Sequence, residues 1–231
     1  MPQPLSLSEQ YDSLWQHARQ EFARGHFEID PFLADTVPDT RRGITLLTRP
    51  NAEVQAQILQ LLQSLKAVEP MQYFYPASDL HITLLSIISC SPNFKLGSIP
   101  QEDYIQVIRE ALQDIGPFTV HFKGITASPS CIMVQGFPDG EGLQQLREKL
   151  RTAFKNLGLH HTIDQRYTIQ TAHSTVLRFQ APLQHPDAFL EQLENFRTIG
   201  FGIFTVDQVE LVYNDWYQRA SNTQALATFR L

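Results

Sequence analysis

Two oily segments about 90 residues apart carry the same polar insertion. "DLHITLLSII" holds His81 and Thr83, and "TAHSTVLRF" holds His173 and Thr175. Side chains two apart on a strand leave the same face, and a slip of one residue would reverse the whole set. Each segment therefore presents an imidazole and a hydroxyl together on a rigid support. In the first, Leu80, Ile82 and Leu84 alternate with them and can anchor the opposite face. The match runs further. Tyr75 stands six residues before His81 and Tyr167 six before His173, while Leu85 and Leu177 follow at the fourth position. An internal repeat of this kind fixes architecture before any single element does.

The rest of the chain repeats in the same sense. "LSLSEQYDSLWQHARQEFARG" predicts a leading helix with Ser8 as its N-cap, Leu14, Ala18 and Phe22 on one stripe, and Gly25 as its stop. "EIDPFLADTVPDTRRG" is a connector. From Gly43 the order is strand, helix, His strand, helix and strands, then again helix, His strand, helix and strands. Val54, Ile58, Leu61, Leu62 and Leu65 mark one helix, and Leu143, Leu146, Leu150 and Phe154 another. "SCIMVQGF" reads as a central strand. The expectation is an α+β fold of two tandem, pseudo-twofold lobes, whose mainly antiparallel sheets face a central cleft with helices outside. Residues 1–42 form the leading helix and connector, and residues 43–231 form the bilobal domain.

Hydrophobic residues at 42% and charged residues at 18% describe an ordinary globular chain. A net charge of −6 without a Lys/Arg cluster argues against coating extended duplex nucleic acid, which requires several neutralised phosphates. Cys90 and Cys131 are too few for a disulfide framework and read as free thiols. The first residues lack a signal-peptide pattern, and no apolar run approaches the roughly 20 residues of a membrane span. A cytoplasmic monomer with no membrane partner and no cofactor is expected.

Two imidazoles and two hydroxyls converging on one point supply an acid, a base and two anion donors, with no evident metal ligand set and no activated nucleophile. That chemistry suits a phosphodiester attacked in line by water. His160, His161, Asp164 and His173 lack helical H-x-x-x-H spacing or a Cys partner, so no metal site is assigned. "HHT" at His160 to Thr162 repeats the motif by chance between a helix end and a strand. Tyr75 and Trp216 are candidates for contact with a base, although such aromatics also serve as core or rim. Arg41 and Arg42 form a solvated turn or reach a second phosphate. His17, His26, His121 and His185 show no partner and are read as structural.

The paired His81-Ile-Thr83-Leu and His173-Ser-Thr175-Val segments resemble those of the 2H phosphoesterase superfamily, which includes 2′-5′ RNA ligase-like proteins and cyclic-nucleotide phosphodiesterases. The resemblance spans about Gly43 to Leu231. It implies a bilobal α+β fold, metal-independent catalysis by His81, His173, Thr83 and Thr175, and a nucleotide or short RNA-end substrate bearing a 2′,3′-cyclic or 2′-5′ phosphodiester. It also matches Arg178 to an arginine often found five places after the second histidine, although a regular strand would turn that residue to the opposite face. Tyr75, Tyr167, Arg178 and Trp216 are then the substrate-binding candidates. Two other readings stay open: a non-catalytic nucleotide- or RNA-binding module, and an RNA ligase joining 2′-5′ ends.

Overall fold

In the computed structural model, which describes residues 5–33 and 38–231, positions 34–37 of the connector and the first four residues lie outside the described chain. The leading helix α1 (Leu7–Ala23) is capped by Ser6 and not by the expected Ser8. The Ser6 hydroxyl accepts from the Glu9 amide while the Glu9 carboxylate accepts from the Ser6 amide, a reciprocal capping box. Its buried stripe is Tyr11, Trp15, Ala18 and Phe22, which lies against a sheet.

The remaining elements follow in the expected order: β1 (Arg42–Thr48), α2 (Ala52–Val68), β2 (Tyr73–Phe74), β3 (Ile82–Ser91), α3 (Gln101–Leu112), β4 (Phe118–Ser128), β5 (Cys131–Pro138), α4 (Gly142–Leu157), β6 (Ser174–Arg178), α5 (Pro186–Asn195), β7 (Gly200–Val206), β8 (Gln208–Asn214) and β9 (Gln224–Arg230). Local chemistry sets the helix ends. Asn51 caps α2 by accepting from the Val54 amide, and Gly158, at φ 65°, closes α4 in the left-handed conformation that glycine adopts without penalty.

Two antiparallel sheets result, ordered β3-β1-β8-β9 and β2-β6-β5-β4-β7. β5 is the central strand of the second, as its apolar run indicates. The lobes, however, are interleaved and not successive. The first sheet takes its last two strands from the C-terminus, and β4 belongs to the second sheet. The helices cross over as well. α2 follows β1 of the first sheet yet packs on β7 and β6 of the second, and α4 links two strands of the second yet packs on α3 and β3. Each lobe therefore braces the other, and their relative position is fixed by packed helices with a buried stripe on each side.

Short irregularities decide which side chains reach the space between the sheets. On β3, Thr83 pairs with Leu47 and Leu85 with Leu46, so Leu84 is an extra residue. On β6, Thr175 pairs with Met133 and Leu177 with Ile132, so Val176 is extra. Both bulges fall three residues after the histidine. A bulge shifts the alternation by one, so the residue five places after each histidine returns to the histidine's face. That puts Ser86 and Arg178 on the cleft side. The regular-strand expectation for Arg178 is corrected by this one extra residue.

Candidate active site

His81 and His173 sit immediately before β3 and β6, and with Thr83 and Thr175 they line one cleft open to solvent. The expected convergence of the four residues is thus met. The two imidazoles are held alike. Nδ1 of His81 lies 2.7 Å from the Asp79 carbonyl oxygen, and Nδ1 of His173 lies 2.7 Å from the Thr171 hydroxyl. In both cases the partner stands two residues before the histidine, which leaves Nε2 for the cleft. A carbonyl only accepts, so His81 carries its proton on Nδ1 and presents a bare Nε2. The Thr171 hydroxyl can donate or accept, so His173 is free to present either form.

Burial pushes both imidazoles down to about 4. At His81 the Asp79 carbonyl partly opposes this, while Arg49 and Arg178 add to it; at His173, His81, Arg147 and Arg178 add to it. Both rings are consequently neutral at pH 7. Cys90 also lines the cleft, but burial pushes its thiol up to about 12, so it supplies no thiolate at neutral pH. Both cysteines are free.

Arg178 lines the cleft, and its Nε donates to the Tyr75 hydroxyl at 3.0 Å. Tyr75 itself is only 2% exposed and stands edge-on to Tyr73, so it is no free platform for a base. Its expected role in stacking is corrected to one of holding Arg178. Tyr167 is 63% exposed at the cleft rim. The two tyrosines share a spacing but not a structural position, because Tyr75 follows β2 on the edge of the second sheet while Tyr167 lies in a loop. Trp216 lines the cleft half-buried, with the guanidinium of Arg166 4.7 Å from its ring, that of Arg41 at 5.1 Å and that of Arg178 at 5.9 Å. Arg41 is no solvated turn residue: it forms two bonds to Asp39 and lies over Phe32.

Sequence reasoning missed several contributors. Asp79 ties the site together twice, through its carbonyl to His81 and through its buried carboxylate, which accepts from the Ala220 amide and the Ser78 hydroxyl. Asp215 caps the Tyr217 and Arg219 amides and so rigidifies the turn that delivers Trp216. Polar residues two places before each histidine were visible in the sequence, and they are the signal that would have found Asp79 and Thr171. Ser86, Ser89, Asn214 and Arg166 also line the cleft and gave no such signal. Thr162 of the "HHT" segment pins its loop to β3: its Oγ1 accepts from the Ser89 amide at 2.7 Å, and its own amide donates to the Ile87 carbonyl. His26 and His121, expected without partners, contact Glu21 and Asp139.

Among the described residues no group of three or more His, Cys, Asp or Glu gathers as metal ligands, and no helix is long and apolar enough to cross a membrane. The sequence matches the family model of the 2′-5′ RNA ligase superfamily over residues 48–217. No curated protein matches it. Similar solved structures include TT0787 of Thermus thermophilus, at 19% identity and a TM-score of 0.58, covering 82% of this chain and 97% of that one. Escherichia coli LigT complexed with 3′-AMP has 15% identity and a TM-score of 0.58, covering 83% of this chain and 98% of that one. At such identities the structures speak for the fold alone, but the family model covers both histidine motifs and most of the sequence: the chain belongs to the 2′-5′ RNA ligase superfamily, the 2H phosphoesterases.

Proposed function

We propose that the protein is a metal-independent phosphodiesterase that opens 2′,3′-cyclic or 2′-5′ phosphodiesters of nucleotides or short RNA ends. The observation that carries this reading is the pair of imidazoles, each anchored through Nδ1 by the residue two places earlier and each free at Nε2 in one cleft with a threonine beside it. The 3′-AMP held by the E. coli LigT structure supports a nucleotide as the ligand class.

Tautomer control supports one assignment of the roles. His81, with its bare Nε2, takes a proton from the attacking water, and the Asp79 carbonyl stabilises the imidazolium that forms. His173 gives a proton from Nε2 to the departing ribose oxygen. Water's oxygen forms the new bond to phosphorus as the bond to that ribose oxygen breaks. Thr83, Thr175 and Arg178 hold the non-bridging oxygens, where negative charge builds. The substrate's own negative charge raises the proton affinity of the flanking imidazoles, which places the required proton on His173 in the complex. Each proton transfer contributes about 10²–10⁴ in rate, roughly 3–5 kcal/mol. Trp216 offers a face to the base.

Screening 2′,3′-cyclic mononucleotides and 2′-5′ oligonucleotides in EDTA tests the reading. Turnover should persist without divalent metal, and His81→Ala and His173→Ala should each lose at least about two decades of rate while staying folded. Tight nucleotide binding with no product from any diester would replace the enzyme with a binding module. Joining of RNA ends in preference to hydrolysis would replace it with a ligase.

A further inference from the structure

The apolar stripe of α4 contains one intruder. Between Leu146 and Leu150 lies Arg147, 4% exposed, with its guanidinium turned inward. Its partners are three backbone carbonyl oxygens: Nε donates to Leu84 at 2.8 Å, and Nη2 donates to Thr83 at 3.3 Å and to Thr171 at 2.7 Å. Among the described residues no carboxylate pairs with it, and Asp164 is engaged by Arg151 at 2.6 Å. A buried cation without a counter-ion is costly, and an apolar residue of similar volume would pack there at less expense.

The carbonyls it serves explain the arrangement. Leu84 is the bulge residue of β3, so its carbonyl leaves the ladder. Thr171 lies in the unpaired stretch before β6, and its hydroxyl holds Nδ1 of His173. One fork-shaped group thus satisfies orphaned acceptors on both histidine segments, which belong to different sheets. It also brings a fixed positive charge close to His173.

Resting on the phosphodiesterase reading, we propose that Arg147 is a positioning residue: it locks the two histidine segments to each other and places a positive charge beneath the phosphate site. The groups that share its surroundings are Tyr11, Arg151 and Asp164, and those that face His173 are His81, Arg178 and Thr171.

The test compares Arg147→Met, which keeps the volume and removes charge and fork, with Arg147→Lys, which keeps charge but loses the fork. Imidazole titrations of His81 and His173 by NMR need no turnover, so they judge this proposal separately from the reaction assigned above. In Arg147→Met the titration of His173 should move up by about one pH unit, and inorganic phosphate should bind several-fold more weakly. With an active diester substrate, kcat should fall about tenfold or more in both variants while KM changes less in Arg147→Lys. Arg147→Lys should leave the His173 titration near its wild-type position. If Arg147→Met does not fold, Arg147→Lys decides the positioning role through kcat. An unmoved His173 titration in Arg147→Met, or wild-type kcat in Arg147→Lys, would overturn the proposal.

Discussion

Acidification from pH 8 to pH 5 should destabilise this protein through the two motif histidines. The ordinary imidazole value is 6.5, and burial brings each of these rings to about 4 in the folded state. A base with a depressed folded value binds protons first in the unfolded chain. Stability is therefore complete above about pH 6.5 and is lost as the pH falls from there toward 4. At pH 5 each group is about 1.5 units below its unfolded value, and at about 1.36 kcal/mol per unit that is about 2 kcal/mol each. The pair sets a ceiling of about 4 kcal/mol, which water entering the open cleft reduces. At about 2–4 °C per kcal/mol for a chain of this size, the wild-type melting temperature should fall by up to roughly 8–16 °C relative to a control. That control is His81→Asn/His173→Asn, which keeps polar side chains that do not titrate in this range. Thermal melts of the two proteins across pH 8 to 5 measure the difference directly. Phosphate should narrow it, because an anion between the rings favours their protonation. Parallel curves for the two proteins would refute the argument, since they would mean that the rings titrate alike in the folded and unfolded chain.

Other consequences are independent of that titration. Tyr11→Phe removes a buried hydroxyl that donates to the Gly136 carbonyl and accepts from the Gly136 and Ala172 amides, so denaturant unfolding should show a loss of about 2–4 kcal/mol. Gly136→Ala would drive its new methyl into the Ala172 carbonyl, and both stability and diester turnover should drop, because Ala172 adjoins His173. Arg178→Met should weaken inhibition by inorganic phosphate about tenfold or more at neutral pH, as read by competition kinetics. Thr162→Val, nearly isosteric, should cost about 1–2 kcal/mol through the Ser89 amide it leaves unpaired.

The repeat was legible because a period-2 pattern with a polar pair in it has few alternative readings, and the structure places all four of its polar residues on one cleft. The helices were legible by stripe, but α1 shows the limit of that signal. Leu14 and Phe22 were counted, while Tyr11 and Trp15, which do more of the packing, were not. Amphipathic aromatics at polar-looking positions do not register in an apolar count. Arg147 escaped for the complementary reason. A charged residue within an apolar stripe reads as a boundary of the stripe, whereas here the stripe's centre is where the loose carbonyls of the other lobe arrive.

The bulges were not legible at all, and they decide the most. A bulge is a property of a pair of strands, set by which acceptors the surroundings can satisfy. The Leu84 carbonyl is taken by Arg147, that of Ile87, a further extra residue of β3 between the partners of Thr45 and Ile44, by the Thr162 amide, and the Val176 carbonyl by the Tyr75 amide. None of these partners is near its acceptor in sequence. The bulges at the same offset from each histidine make the frame symmetric, and the residues they turn inward then make the chemistry asymmetric: Ser86 on one side, Arg178 on the other. The same holds behind the rings, where a carbonyl fixes the tautomer of His81 and a hydroxyl leaves that of His173 open. A reaction that needs one base and one acid gains nothing from two identical half-sites. A duplicated frame with unlike residues at its matching positions supplies the difference, and Arg178 falls on the side of the histidine whose tautomer is free.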